Sequence, residues 1–296
     1  MSGTDAGVVG AEAATAAATA AGGGGTPPVA LTIAGSDSGG GAGIQADLLT
    51  FASLGVHGTS AITALTAQNT QGVTGVHVPP VDFLRAQLDA ILSDLPVAGV
   101  KTGMLATEEV VTAVAEAAAA GRLPNLVVDP VLVSSTGARL LDPGAESAYL
   151  HELLPRALVA TPNTREAAAL LGEPVVTVED ARRAARRLAE LGPRWVVVKG
   201  GHLTAEDAGG DAVDVVHDTA AGETTELRLP RIRTRNDHGT GCTFAAATAA
   251  LLAKGLAVPD ALAAAKRFVH AGLASSAAWT LGAGHGPVGK LGAWSP

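Results

Sequence analysis

Residues 235–243 read Arg-Asn-Asp-His-Gly-Thr-Gly-Cys-Thr, and an alanine-rich run follows them as far as Gly255. The glycines let the backbone turn its N–H groups toward a ligand, and the alanine-rich run predicts a helix whose N-terminus adds positive partial charge there. We therefore predict an anion site formed by Gly239, Thr240, Gly241 and Cys242. The same pattern also fits an ordinary turn before a helix, so this stretch alone leaves both interpretations open.

Cys242 is the only cysteine of the chain, and it lies at the predicted helix start. The helix dipole should lower the pKa of its thiol from the free value of about 8.5 and favour the thiolate. The alternative is a buried cysteine that only fills space. A single cysteine excludes an internal disulfide, and no Cys/His cluster has the spacing of a structural zinc site, which fits a protein of the reducing cytoplasm.

The composition limits the kinds of partner. The chain has 296 residues with a net charge of −8, which argues against an electrostatic surface for nucleic acid or membranes. We expect a small-molecule partner instead. Hydrophobic residues make up 47% of the chain and aromatic residues only 3%, so the core should consist mainly of Ala, Val and Leu.

Residues 1–28 are rich in Ala, Gly and Thr and end in a run of glycines before Thr-Pro-Pro. They lack the basic region and continuous apolar stretch of a secretory signal, and no apolar run in the chain is long enough to span a bilayer. We expect a flexible, disordered tail over residues 1–28, with an alanine-rich helix as the alternative. A single folded domain should then occupy residues 29–296.

The domain should begin with a strand, a glycine-rich loop and a helix. The apolar run Val29–Ala34 leads into a loop over residues 35–43, after which Ile44, Phe51 and their helical neighbours share one face. Asp47 falls within that apolar face, where a carboxylate costs stability unless a partner satisfies it. We predict that Asp47 contacts a ligand, and a salt bridge at the helix end is the alternative.

The loop also fits a relaxed dinucleotide-binding fingerprint, Gly41-x-Gly43-x-x-Ala46, which would indicate a dehydrogenase. That fingerprint requires an acidic residue roughly 20 positions later. However, residues 48–77 contain no Asp or Glu. The second predicted strand, Thr59–Ala67, ends instead at Gln68, whose amide can both donate and accept hydrogen bonds to a heterocycle.

Further strands and helices alternate along the chain. Buried strands are predicted at residues 99–101, 126–128, 158–160 and 195–198, with helices between them. This alternation predicts an α/β fold with a mostly parallel sheet and ligands at the carboxyl ends of its strands. Residues 211–217 and 223–229 should form an antiparallel pair, and residues 258–278 a closing helix.

Polar residues follow several of these strands. Asp129 lies where a carboxylate can hold Mg²⁺, although it can equally cap a loop. Glu166 lies in the first turn of a helix, where the helix dipole alone would explain it. Lys199, next to Gly200, suits a polyphosphate, with a surface lysine as the alternative. We reject a Walker A loop at residues 284–290, because Leu291 replaces the required Ser or Thr and no strand precedes it.

Together these motifs resemble the ribokinase-like superfamily, and within it the hydroxymethylpyrimidine/phosphomethylpyrimidine kinases of thiamine biosynthesis. The resemblance extends over residues 29–288, and Cys242 stands where most sugar kinases of the superfamily have Asp. It implies a three-layer α/β/α fold with a mostly parallel central sheet. The matching segments are Leu31–Asp37, Gly40–Asp47, Ile62–Asn69, Lys101–Leu105, Thr161–Asn163, Lys199–His202 and His238–Thr243.

The resemblance also implies roles for individual residues. Gly239–Cys242 match the anion hole and the catalytic position. The remaining matches are substrate-binding residues (Gly35, Asp47, Gln68, Met104, Val131), nucleotide-binding residues (Asn163, Glu166, Lys199, Gly200) and metal ligands (Glu166, with Asp129 as a second candidate). Small departures occur at Ser38, Gly39 and Thr102, and they remove no group that the reaction needs.

The function implied by the resemblance is the transfer of phosphoryl groups from ATP, with Mg²⁺, to 4-amino-5-hydroxymethyl-2-methylpyrimidine and then to its monophosphate. Relatives suggest a homodimer. One alternative keeps the chemistry and takes pyridoxal or pyridoxine as substrate. Another is a ligand sensor without catalysis, which would be expected to lack an intact anion hole or the magnesium carboxylate.

Overall fold

A computed structural model of the chain describes residues 25–132, 141–142, 144–201, 203 and 208–290. The predicted tail lies outside these residues, except for residues 25–28, which have no regular secondary structure. The strands are β1 (Val29–Asp37), β2 (His57–Asn69), β3 (Gly72–His77), β4 (Val97–Thr102), β5 (Leu126–Val128), β6 (Val159–Ala160), β7 (Trp195–Val198), β8 (Asp211–Asp218) and β9 (Glu223–Pro230).

These strands form one sheet in the order β3-β2-β1-β4-β5-β6-β7-β8-β9. The six strands from β2 to β7 in this order run parallel. Strand β3 pairs antiparallel with β2 at one edge, and β8 and β9 continue antiparallel from β7 at the other. The prediction of a mostly parallel sheet with an antiparallel pair at residues 211–229 is therefore confirmed.

Helices cover both faces of this sheet. They are α1 (Gly43–Ser53), α2 (Val81–Leu92), α3 (Glu108–Ala119), α4 (Ala145–Ala148), α5 (Thr164–Leu171), α6 (Val178–Ala189), α7 (Thr240–Ala253) and α8 (Val258–Ser276). A π-helical turn (Tyr149–Leu153) and a 3-10 turn (Leu154–Arg156) lie between α4 and β6. No helix among the described residues is both long and apolar enough to cross a membrane.

Alternate residues of the strands pack into opposite layers, as the pleat of a strand requires. Leu31 and Ile33 of β1 pack in a core with α2 and α3. Ala30, the residue before Leu31, faces the opposite layer and packs with Phe51 of α1, Phe244 of α7 and helix α8. The predicted three-layer α/β/α arrangement is therefore confirmed, with the small side chains of α7 buried against the sheet.

Sequence analysis did not predict β3. Its residues, Gly-Val-Thr-Gly-Val-His, include two glycines and show no buried face. Pairing with the long strand β2 holds β3 in place, and this pairing is not visible in local sequence.

The parallel strands place their carboxyl ends at one edge of the sheet. The chain leaves β1 for β2 on one side, while β4 pairs with β1 on the other. Such a reversal opens a crevice above the strand ends, where ligands bind in open α/β sheets.

Candidate active site

A cavity of about 490 Å³ lies at the carboxyl ends of the parallel strands. Most of the residues predicted for the site line it. Two do not: Asp47 and Gly200. The predicted residues that line the cavity are Gly35, Gln68, Met104, Asp129, Val131, Asn163, Glu166, Lys199 and Gly239–Cys242.

The cavity has two ends that are far apart. Gln68 belongs to β2, and Asn163 follows β6, four strand intervals away in the order of the sheet. With adjacent strands about 4.8 Å apart, the two positions are separated by roughly 19 Å. Gly35 and Met104 lie toward the Gln68 end, where a Cβ on Gly35 would come within 3.2 Å of the Met104 sulfur. An elongated pair of ligands therefore fits better than one small ligand.

The loop before α7 has the geometry of an anion site. Gly239 adopts a left-handed φ of 80°, and a Cβ there would lie 1.9 Å from the Gly41 carbonyl oxygen, so only glycine fits. The backbone N–H groups of Gly239, Gly241 and Cys242 have no hydrogen-bond acceptor among the described residues. They remain available to an anion at a helix N-terminus.

A buried ion pair lies against this loop. Lys199 Nζ is 2.6 Å from Asp129 Oδ1, which also accepts a hydrogen bond from Thr161. A Cβ on Gly241 would lie only 3.0 Å from Lys199 Nζ. Because Gly241 has no side chain, the ammonium group of Lys199 can lie directly beside the loop. Burial opposes the charged form of Lys199, but the carboxylates of Asp129 and Glu166 outweigh it and raise the pKa of the lysine.

Glu166 lines the cavity and also takes part in the cap of helix α5. One of its oxygens accepts a hydrogen bond from Asn163 N–H at 2.7 Å, and the Asn163 side chain caps α5 in return. Burial, followed by the charge of Asp129, raises the pKa of Glu166 to about 8, although Lys199 acts in the opposite direction. Two buried carboxylates thus lie near one lysine, which pairs directly only with Asp129. A bound cation would stabilise the charge of both carboxylates.

Asp47 is not among the residues that line the cavity, so its predicted ligand contact stays a prediction. It is fully buried, and its Oδ2 accepts hydrogen bonds from Lys101 at 2.7 Å and Thr32 at 2.6 Å. Lys101, which does line the cavity, is held by this pair. Burial opposes the charge of Lys101, but Asp47 outweighs it and holds the pKa of Lys101 above its usual range. Asp47 therefore positions Lys101 through one oxygen, while its other oxygen, Oδ1, is buried and has no hydrogen-bond partner among the described residues.

The pKa of the Cys242 thiol shifts in the direction opposite to the expectation. Burial raises this pKa above its usual value. Lys101 acts against burial, whereas the charges of Asp47 and Asp129 add to it. The surroundings of Cys242 therefore favour the neutral thiol over the thiolate.

Gly200, predicted to bind nucleotide, does not line the cavity and has contacts that hold the chain at this point. It is buried, and its N–H donates to Asp214 Oδ1 at 2.8 Å. A Cβ at this position would lie 1.7 Å from the Val213 carbonyl oxygen. The close approach of β8 therefore explains why glycine follows Lys199.

Sequence analysis missed Asp37 and His238, which join the two loops of the site. The Asp37 carboxylate accepts hydrogen bonds from the backbone N–H groups of Gly39, Gly41 and Ala42 at 2.8–3.1 Å. It also lies 3.1 Å from His238 Nε2. Burial disfavours the charge of Asp37, but the hydrogen bond from His238 and those from the backbone lower its pKa overall. An Asp two residues before a glycine run was the available signal.

His238 also lies close to the predicted pyrimidine-reading residue. Its Nε2 is 3.3 Å from Gln68 Nε2, and Thr66 Oγ1 donates to Gln68 Oε1 at 3.1 Å. Because His238 Nε2 donates to Asp37, it cannot also accept a hydrogen bond from the Gln68 amide nitrogen. The Gln68 amide therefore lies at the cavity wall beside His238, with its oxygen held by Thr66.

A third residue missed from sequence is Lys290, in the segment whose Walker A resemblance was rejected. The backbone of residues 286–288 pairs with His238, and Lys290 Nζ lies 3.2 Å from the Val288 carbonyl and 3.5 Å from that of Gly41. We call residues 284–290 the C-terminal strap. Burial lowers the pKa of Lys290, while the charges of Cys242, Asp47 and Asp37 oppose that effect.

Comparisons with known proteins agree on one family. The family model described as phosphomethylpyrimidine kinase matches residues 37–289. A hydroxymethylpyrimidine/phosphomethylpyrimidine kinase of Rhizobium meliloti is 48% identical over 270 residues, which cover 90% of this chain and 98% of that protein. The thiamine biosynthesis bifunctional protein ThiED of Geobacter sulfurreducens is 51% identical over 88% of this chain, which spans only 52% of that longer protein.

A solved structure supports the same fold. The pyridoxal kinase of Staphylococcus aureus in complex with AMP-PCP and pyridoxal has 36% sequence identity and a TM-score of 0.78. The match covers 89% of this chain and 93% of that one. The likeness therefore includes the strands and loops that form the cavity.

The buried Asp47–Lys101 pair gives a stability prediction. Asp47→Asn leaves Lys101 buried without its counter-charge, so we expect the free energy of unfolding to fall by about 3–5 kcal/mol in denaturant titrations. The matched control is Asp89→Asn, which breaks the exposed pair with Arg122 and should cost at most about 1 kcal/mol. If Asp47→Asn instead keeps full stability and loses activity, the carboxylate contacts substrate after all.

Proposed function

The chain belongs to the phosphomethylpyrimidine kinase family, and from this premise we propose that the cavity between Gln68 and Lys199 is its active site. The protein is a phosphotransferase that uses ATP as donor. It phosphorylates 4-amino-5-hydroxymethyl-2-methylpyrimidine to the monophosphate and then to the diphosphate, in thiamine biosynthesis. The observation that carries the assignment to this cavity is the set of N–H groups at Gly239, Gly241 and Cys242, which line it and have no acceptor among the described residues.

The acceptor binds at the β1–β2 end in this proposal. Gln68 presents an oriented amide to the amino and ring-nitrogen edge of the pyrimidine. Gly35, Met104 and Val131 provide the wall against which the ring lies. The nucleotide takes the opposite end, where Asn163 and Lys199 line the cavity.

Transfer then depends on position and charge. The N–H groups of residues 239–242 face the charge that develops on the transferred phosphoryl group, and Lys199 lies beside them. Lys101, held by Asp47, adds a second fixed cation. The glycines at residues 39–41 form a flap over the acceptor that excludes water, and Asp37 fixes the base of this flap.

Mg²⁺ is part of the same proposal. Glu166 and Asp129 would hold it, directly or through water, because both carboxylates line the cavity and lie near a single lysine. The ion would neutralise charge on the phosphates of ATP.

We keep pyridoxal phosphorylation as a second candidate, because a pyridoxal kinase shares this scaffold. A sensor without catalysis has less support. The anion loop is open to a ligand, and both candidate magnesium carboxylates line the cavity.

Product analysis tests the substrate. We expect purified protein with Mg-ATP to add one and then two phosphoryl groups to the pyrimidine alcohol, as counted by mass spectrometry. The same reaction with pyridoxal should be slower, and a chelator should stop both. Phosphorylation of pyridoxal alone would overturn the substrate assignment.

The neutral thiol at position 242 suggests how one site serves two acceptors. The first acceptor is an alcohol, which gains from proton removal, whereas the second is a phosphomonoester that is largely ionised at pH 7, its second pKa being about 6. An Asp at position 242 would repel that anion by about 4 kcal/mol at 4 Å and an effective dielectric constant of about 20. A neutral thiol avoids this repulsion. When an alcohol binds, the thiol can first lose its proton to solvent, and the thiolate then accepts the proton of the alcohol.

We expect Cys242→Asp to keep much of the alcohol kinase activity and to lose the phosphate kinase activity selectively. By the repulsion above, the selective loss is at most about 1,000-fold before screening. Cys242→Ala should harm the first step more than the second, because it removes only the proton acceptor. The measurement is kcat/KM for each acceptor separately; parallel losses in both variants would contradict the charge argument.

A homodimer is the last part of the proposal. Strand β3 is an edge strand with exposed residues, and the apolar side chains of Leu65 and Val76 are 45% and 48% exposed. An unpaired edge of this kind readily pairs with a second chain. We expect sedimentation velocity to give a dimer that Val76→Asp shifts toward monomer, whereas Phe83→Asp, on α2, leaves it unchanged. A monomeric wild type would refute it.

A further inference from the structure

The basic side chains on the cavity wall differ in whether a carboxylate lies close to them. Four of them lie within 3.1 Å of a carboxylate oxygen: Lys101 of Asp47, Lys199 of Asp129, His238 of Asp37 and His285 of Asp237. Arg165 also lines the cavity, but it is exposed and has no carboxylate partner among the described residues. It is therefore a cation on the wall whose charge is not locally balanced.

The position of Arg165 in its helix is electrostatically unfavourable. It lies in the first turn of α5, where its backbone N–H donates to Asn163 Oδ1 at 2.9 Å. The positive end of the helix dipole repels a cation in this turn, and basic side chains are favoured at the opposite end. Lys199 is also near, because Asn163 and Lys199 form a β-bridge. A bound anion would relieve both repulsions.

The direction of α5 shows which ligand would meet Arg165. Ala169, one turn further along, also lines the cavity, so this face of α5 is turned toward it. The helix follows β6 and lies beside Lys199, at the end of the cavity far from Gln68. An anion at Arg165 therefore belongs to the phosphoryl donor and not to the acceptor.

We propose that the Arg165 guanidinium group binds the polyphosphate of the nucleotide, a role that rests on the proposed function. A guanidinium group can donate two parallel hydrogen bonds to phosphate oxygens, which a lysine cannot do. Arg165 thus completes the donor half of the site from its rim, while Lys199 acts from its floor.

Equilibrium binding of ADP, AMP and adenosine, without acceptor, tests this role. We expect Arg165→Gln to weaken ADP binding about tenfold, to weaken AMP binding less and to leave adenosine binding unchanged. Arg165→Lys should recover part of the loss. The KM for ATP should rise in parallel, while the KM for the pyrimidine alcohol stays the same. The matched control is Arg122→Gln, an exposed arginine outside the cavity, which should change none of these values.

Two results would overturn the proposal. One is ADP affinity within twofold of wild type in Arg165→Gln, and the other is an equal loss for adenosine, which would indicate a structural effect. If Arg165→Gln leaves the ADP affinity unchanged but raises the KM for the pyrimidine monophosphate, Arg165 contacts the acceptor and not the nucleotide. Because these titrations contain no acceptor, they stand even if the protein prefers pyridoxal.

Discussion

The contact between the glycine loop after β1 and the loop before α7 is the constraint on which the site depends. The two backbones approach so closely that a Cβ at Gly239 would lie 1.9 Å from the Gly41 carbonyl oxygen. Asp37 fixes the first loop by accepting its N–H groups, and His238 connects Asp37 to the second loop. The acceptor side of the cavity and the anion loop are thereby one rigid unit, although about 200 residues of sequence separate them.

The positive charges of the lysines around this unit are balanced by carboxylates in the protein itself, before any phosphate binds. Lys101 and Lys199 each have a buried carboxylate partner, so neither is an isolated buried charge. The neutral thiol of Cys242 lies among these four charged groups. Fixed cations with compensating carboxylates allow the protein to keep its lysines ordered at low cost, and the phosphates of the nucleotide then interact with a preorganised field.

Much of the fold was predictable from sequence because its signals are local. The apolar run Leu126–Val128 gave a buried strand, and the turn at Gly239 gave the helix start of α7. The pairing of Asp47 with Lys101, 54 positions apart, could not be derived in this way, and Asp47 was assigned to the ligand instead. The pKa of Cys242 was predicted in the wrong direction for the same reason, since it depends on burial that only the tertiary structure creates.

The C-terminal strap brings residues from late in the sequence into contact with the loop that follows the first strand. Residues 286–288 pair with His238, and Lys290 reaches the carbonyl of Gly41, a residue that follows the first strand. A ribosome makes this strap after every strand of the sheet. A nascent chain can therefore pair all nine strands before residues 286–288 are available to contact His238. The loop before α7 thus receives its support from the strap later than the sheet can form.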